Sequence, residues 1–109
     1  MSVLVQDNKI TKIAKSIDAP PGARVIDAAG RTMTPGFIDM HSHIMFQLSV
    51  GEGMTSDDRY FAYVATQTAH TYLMHGFTAV RDAAGNCFSL KKAIDRGIVV
   101  GPESTPPVR

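Results

Sequence analysis

Two histidines separated by one residue, His41 and His43, are the strongest candidates for chemistry in this sequence. Side chains of a β-strand alternate between faces, so on a strand both imidazoles project the same way. Two neutral imidazoles at a strand end can hold a divalent metal, and zinc is the favoured ion. The same spacing also arises by chance among surface histidines, so the pattern alone leaves a metal site and an unliganded pair open.

Asp39 lies two residues before His41 and is predicted to share its face. A carboxylate in that position could accept a hydrogen bond from an imidazole and fix its tautomer, as outer partners of metal ligands do. The alternative is a carboxylate that closes a local turn at the strand end. Both roles remain open from the residues alone.

The elements that position the histidines are predicted from residue 36 onward. An apolar strand at residues 37–38 leads into the pair, and a helix runs from an N-cap at Ser56 to a stop at Gly76. The pattern then predicts a strand at 78–81, a helix at 89–95 and a third strand at 98–100. This alternation predicts an α/β fold with parallel strands, in which ligands bind at the carboxyl ends of strands.

The segments outside this strand–helix alternation predict a hairpin, a short strand and two irregular stretches. Asp7 and Asn8 tolerate left-handed backbone angles and predict a hairpin at residues 6–9, followed by a short strand at 24–27. Glycines in residues 47–55 indicate an irregular loop. Three prolines in residues 102–109 indicate an irregular tail.

Composition excludes several classes of function. The net charge of +1 argues against a nucleic-acid partner, and the absence of an apolar run of about 18 residues argues against a membrane partner. The single cysteine, Cys87, cannot form an internal disulfide, which favours a reducing, cytoplasmic location. Its surroundings match no signature of a cysteine nucleophile, so an ordinary structural thiol is expected.

Two stretches resemble the amidohydrolase superfamily, in its imidazolonepropionase-like and prolidase-like branch. The first runs from Gly30 through Pro35-Gly36-Phe37-Ile38-Asp39 to His41-Ser42-His43, and the second from Gly76 to Asp82. The resemblance implies a (β/α)₈ barrel with a small β-sandwich, His41 and His43 as metal ligands, and a metal-activated water that attacks a C–N bond. The bond would belong to an amide, a cyclic amide or a dipeptide of a small-molecule substrate.

Length separates this chain from a whole member of that superfamily. Residues 36–109 are far fewer than the about 250 residues that a (β/α)₈ barrel needs. The expected organisation is a partial β-sandwich segment at 1–34, the first one to two βα units of an incomplete barrel at 35–101, and the tail at 102–109.

The later ligands of the superfamily, a lysine, two histidines and an aspartate, have no equivalents here, so no catalytic residue is assigned. We therefore expect a truncated chain that is inactive alone. The alternatives are a small non-enzymatic metal-binding or interaction module, and one piece of a split or oligomeric barrel that self-associates through exposed strand edges.

Overall fold

The computed structural model describes residues 1–105 as two units, which meet in sequence between Met33 and Thr34. The first unit contains the strands β1 (Ser2–Gln6) and β2 (Lys9–Ala14), paired antiparallel. Asp7 and Asn8 join them with φ angles of 48° and 64°. Two successive positive φ angles fit a two-residue hairpin turn, so the predicted hairpin is confirmed.

The strand predicted at residues 24–27 is wrong, because these residues form no strand. The carboxylate of Asp27 instead accepts a hydrogen bond of 2.8 Å from the backbone N–H of Ala29. Ala29 and Gly30 then take positive φ angles of 48° and 77°. The turn that ends this segment is therefore present, but no strand of the described chain pairs with residues 24–27.

The second unit has a three-stranded parallel sheet in the order β3–β4–β5. Its strands are β3 (Phe37–Ser42), β4 (Phe77–Asp82) and β5 (Glu103–Thr105). Its helices are α1 (Val50–Thr55), α2 (Asp58–Met74) and α3 (Phe88–Asp95). The predicted α/β alternation with parallel strands is therefore confirmed, and the sheet is open rather than closed into a barrel.

Small residues allow the helices to approach the sheet closely. Ala65 and Ala69 of α2 are buried together with Val80 of β4 and Leu90 of α3. Ile44, two residues beyond the end of β3, completes this core. The core therefore lies between the helices and one face of the sheet, while the opposite face exposes Ile38 and neighbouring side chains.

The third strand lies later in the chain than predicted. The amides of Ile98 and Val99 donate to the carbonyl of Ala93, at 2.9 and 3.3 Å, so they cap the end of α3 and cannot join the sheet. Glu103–Thr105 pairs with β4 instead, which corrects the prediction of an irregular tail for these three residues. Residues 106–109 lie outside the described part of the chain.

The loop predicted at residues 47–55 contains helix α1. Ser49 and Glu52 form a capping box: Ser49 Oγ accepts from the Glu52 N–H, and the Glu52 carboxylate accepts from the Ser49 N–H. These reciprocal bonds offset the helix-weakening effect of Gly51 and Gly53. The following helix, α2, is capped by Asp57 rather than by Ser56, since the Asp57 carboxylate accepts from the Tyr60 N–H at 2.9 Å.

Gly36 is required where β3 approaches β4. A Cβ atom at this position would overlap the side chain of Thr78. We expect Gly36→Ala to lower the free energy of unfolding by about 1–3 kcal/mol, the usual cost of an overpacked site. The measurement is urea unfolding of the 109-residue chain followed by circular dichroism.

Gly51→Ala is the matched control, because a Cβ atom there meets open space within α1. It should leave the free energy of unfolding unchanged or raise it by up to about 1 kcal/mol. Equal effects of the two substitutions would contradict the close approach of Gly36 to Thr78.

Candidate metal centre

Hydrogen bonds between β3 and β4 fix the backbone on both sides of His41. The Nε–H of Arg81 donates to the carbonyl of Met40 at 2.8 Å. On the other side, Ser42 Oγ donates to the carbonyl of Arg81 at 3.2 Å, and the N–H of Ala83 donates to the carbonyl of Ser42 at 2.8 Å. His41 is therefore held between two residues that are bonded to the neighbouring strand.

His43 lies just beyond the strand, at the start of a tight turn. Its carbonyl accepts hydrogen bonds from the N–H of Phe46 at 3.1 Å and from Nε2 of Gln47 at 2.8 Å. The next residue, Ile44, is 1% exposed and belongs to the core. The turn and this buried anchor fix the position of His43 relative to the strand end.

The two imidazoles are neighbours at the carboxyl end of β3. Their ring centroids are 5.1 Å apart and the ring planes are inclined by 68°. Zinc–nitrogen bonds of 2.0–2.1 Å in a tetrahedral arrangement separate the centroids of two imidazole ligands by about 5 Å. His41 is exposed and His43 is half-buried, so a cation can reach both from solvent.

Among the described residues, His41 and His43 are the two side chains at this strand end that could bind a metal ion. Residues 1–105 contain no cluster of three or more His, Cys, Asp or Glu side chains that could hold a metal. His70 and His75 are exposed, on α2 and at its C-terminal cap respectively. The residues present thus fit two ligands of a divalent cation.

Of the two roles left open for Asp39, the structure shows a carboxylate that closes a local turn at the strand end. Its Oδ1 accepts from the backbone N–H of His41 at 2.9 Å, and its Oδ2 accepts a long hydrogen bond of 3.4 Å from the hydroxyl of Tyr72 on α2. The register with β4 shifts between Asp39 and Ser42, which interrupts the alternation on which the shared face was predicted. Asp39 therefore supports the backbone of His41 from the helix side.

Tyr72 is the partner of Asp39 that sequence reasoning missed. Burial raises the pKa of the Tyr72 phenol, and the negative charge of Asp39, its hydrogen bond and the charge of Asp82 raise it further. Deprotonated Tyr72 would place two negative charges together, so the neutral phenol is the stable form. The spacing of a helix indicates which of its residues share a face, but not which strand residue Tyr72 contacts.

Asp82, at the end of β4, is completely buried. Its Oδ1 accepts from the Ala84 N–H at 3.0 Å, while Oδ2 has no hydrogen-bond partner among residues 1–105. Burial raises the pKa of the nearby Cys87 thiol, and the charge of Asp82 adds to this effect. A buried thiol with a raised pKa is a poor nucleophile, in agreement with an ordinary structural role.

A cavity of about 290 Å³ lies between β3, α2 and β4, on the helix side of the sheet. Asp39, Tyr72 and Phe77 are among its lining residues, and neither His41 nor His43 is. The cavity is therefore separate from the histidine pair.

None of the helices in the described part of the chain is both long and apolar enough to cross a membrane.

Comparison with known proteins identifies the family. Residues 32–107 match the sequence profile of the amidohydrolase family, and the chain belongs to this family. A dihydroorotase of Geobacter sulfurreducens is 48% identical over 44 residues, which are 40% of this chain and 10% of the relative. An imidazolonepropionase of Streptomyces griseus is 42% identical over 45 residues, which are 41% of this chain and 12% of the relative.

Solved structures resemble almost the whole chain. A prolidase in complex with N-methylphosphonate-L-proline has a TM-score of 0.82 and 33% identity, covering 95% of this chain and 26% of the prolidase. A second amidohydrolase has a TM-score of 0.79 and 29% identity, covering 97% of this chain and 26% of its own. The resemblance predicted from the motifs is confirmed, and the chain spans about a quarter of the solved proteins and about a tenth of these curated relatives.

The contact between Tyr72 and Asp39 predicts a pH effect. The raised pKa means that the folded state disfavours the phenolate. The neutral Tyr72 phenol therefore contributes to the stability of the fold below pH 10, and this contribution is lost as the pH rises through the raised pKa. The absorbance titration at 295 nm of the wild type, minus that of Tyr72→Phe, should give a midpoint above the ordinary value of 10.0.

Asp39→Asn should lower that midpoint, because it removes the negative charge while keeping an oxygen to accept from the His41 N–H. Asp58→Asn, which changes an exposed carboxylate in the first turn of the same helix, is the matched control. A midpoint that responds equally to both changes would show that Asp39 has no particular influence on Tyr72.

Proposed function

We propose that this chain is part of a metal-dependent hydrolase of C–N bonds and that His41 and His43 bind the metal. The observation that carries the proposal is the pair of imidazoles, 5.1 Å apart, at the carboxyl end of a parallel strand in a member of the amidohydrolase family. Carboxyl ends of strands are where α/β folds place their ligands.

Zinc is the ion that the donor set favours, because imidazole nitrogen at tetrahedral spacing suits it. When bound, a divalent cation polarises a substrate carbonyl and lowers the pKa of water towards neutrality. The chain's own contribution is to present two imidazoles already oriented, since Met40 and Ser42 are bonded to β4 and Asp39 accepts from the His41 N–H.

The proposal extends to the fold of the complete enzyme. The sheet β3–β4–β5 would be the start of a (β/α)₈ barrel, and the hairpin β1–β2 would be part of a small β-sandwich. In residues 1–105, the outer edges of β3 and β5 have no strand partner. Further strands, from the same polypeptide or from an associating copy, would pair there and supply the remaining metal ligands.

The substrate class follows from the relatives. Dihydroorotase, imidazolonepropionase and prolidase are the activities named among similar proteins. We propose an amide, a cyclic amide or a dipeptide as the substrate.

Zinc binding tests the ligand assignment directly. We expect the chain to bind Zn²⁺ in a calorimetric titration, and His41→Ala with His43→Ala to weaken that binding by at least about tenfold, since both donors are removed. The matched control is His70→Ala with His75→Ala, which also removes two histidines, both exposed and away from the strand end. Equal loss in both double variants would contradict the assignment.

Catalysis should need more than the described residues offer. Because no third His, Cys, Asp or Glu joins the pair in residues 1–105, we expect the purified 109-residue polypeptide to give no chelator-sensitive hydrolysis. Zinc-loaded protein would be assayed with dihydroorotate and with proline-containing dipeptides, with and without EDTA. Turnover that EDTA abolishes and that His41→Ala removes would show instead that this chain is sufficient.

A further inference from the structure

The β4–α3 loop, residues 83–87, lies against the turn that begins at His43. In this loop Gly85 has a φ angle of 103°. A Cβ atom on Gly85 would be 3.0 Å from Cβ of Met45 and 3.0 Å from Cε2 of Phe46. Carbon atoms in favourable contact are about 3.5–4.0 Å apart, so a glycine is what lets the loop come this close to the turn.

The β4–α3 loop is held at both of its ends. At the start, the N–H of Ala83 donates to the carbonyl of Ser42 at 2.8 Å. The N–H of Ala84 donates to Oδ1 of the buried Asp82 at 3.0 Å. At the other end, Cys87 is buried and is the N-cap residue of α3. The loop can therefore act as a fixed surface for the turn that it contacts.

The turn on the other side of this contact determines where His43 lies. The carbonyl of His43 accepts from the N–H of Phe46 at 3.1 Å, so the positions of these two residues are linked. Ile44 is buried in the core, and Met45 packs against the core. Met45 thus lies between core contacts and Gly85, while Phe46 lies against Gly85 and is bonded to His43.

We propose that Gly85 is a positioning residue of the metal centre, because it lets the β4–α3 loop hold the turn that directs the imidazole of His43 towards that of His41. The inference rests on the proposed function and adds to it a residue outside the histidine pair. His43 lies beyond the end of β3, so strand pairing does not fix it. A side chain on Gly85 would displace Met45 and Phe46, and with them His43.

Backbone strain alone is the competing explanation for any effect of replacing Gly85. At a φ of 103° every L side chain is strained, so an alanine would destabilise the loop even without crowding the turn. Gly97 separates the two explanations. Its φ is also positive, at 68°, but a Cβ atom there would meet no atom within 4 Å. Gly97→Ala therefore introduces strain without crowding and is the matched control.

The first test needs no metal. In the metal-free wild type, ring protons of His41 and His43 should show a nuclear Overhauser effect, because the ring centroids are 5.1 Å apart. Gly85→Ala should weaken or abolish this effect, and Gly97→Ala should keep it. A signal that is missing in the wild type, or unchanged in Gly85→Ala, overturns the inference.

Zinc affinity, measured by calorimetry, gives a second readout. Gly85→Ala should weaken zinc binding by about tenfold, the usual effect of losing a group that orients a metal ligand. It should have no further effect in a protein that already carries His43→Ala, since Gly85 acts through that ligand. Gly97→Ala should bind zinc as the wild type does. Equal losses in the two glycine variants would leave Gly85 with a purely conformational role.

Phe46→Ala approaches the same contact from the other side if circular dichroism shows that Gly85→Ala does not fold. It removes the ring that lies against Gly85, at a position that is 54% exposed. Phe46→Ala should weaken both the Overhauser effect and zinc binding. Tyr63→Ala, which removes a 71% exposed aromatic ring from α2, should weaken neither. Equal results for the two aromatic variants would contradict the inference.

Failure of the proposed function has a different signature. Zinc binding would then be absent, or indifferent to His41→Ala with His43→Ala, while the Overhauser effect in the metal-free protein still responded to Gly85→Ala and not to Gly97→Ala.

Discussion

The pairing of β3 with β4 at their carboxyl ends is the interaction on which the candidate site depends. Met40 and Ser42 flank His41, and the carbonyls of both accept hydrogen bonds from residues of β4 or the loop that follows it. These bonds fix the backbone at His41, while the turn after His43 and the buried Ile44 fix the second imidazole. The site is therefore arranged before a cation arrives.

Helix packing supports this strand pairing from the other side of the sheet. Ala65 and Ala69 have almost no exposed surface, and a Cβ atom on Gly101 would be 2.8 Å from Cβ of Ala69. Such contacts leave little freedom for α2 to shift. Ile44 belongs to the same core and follows His43 directly, so a shift of the helices would also displace His43.

The sequence predicted the features that depend on local patterns. The histidine pair, the hairpin at Asp7 and Asn8 and the parallel strand–helix alternation could all be derived from residue types and spacing. The third strand could not, because its place was decided by competition for hydrogen bonds: the amides of Ile98 and Val99 cap α3. That outcome depends on where the helix ends relative to the sheet.

Two other differences between the prediction and the structure, at α1 and at Asp39, have distinct causes. The capping box of Ser49 and Glu52 was visible as a pattern, but two glycines in the same stretch indicated a loop. The orientation of Asp39 was not visible, because the extra residue between Asp39 and Ser42 appears only when β3 is aligned with β4. A strand's alternation predicts its faces only where its register with the neighbouring strand is continuous.

The two faces of the sheet differ in a way that explains what this segment contributes. The helix side is packed, and Asp39 and Ser42 use polar groups there to fix the end of β3. The other side exposes Ile38, and the exposed His41 lies at the carboxyl end of β3 beside His43. Zinc sites use four ligands, so a pair alone binds weakly. Because strand pairing orders His41 and the turn beyond it orders His43, donors from further strands would join the two imidazoles without rearranging them.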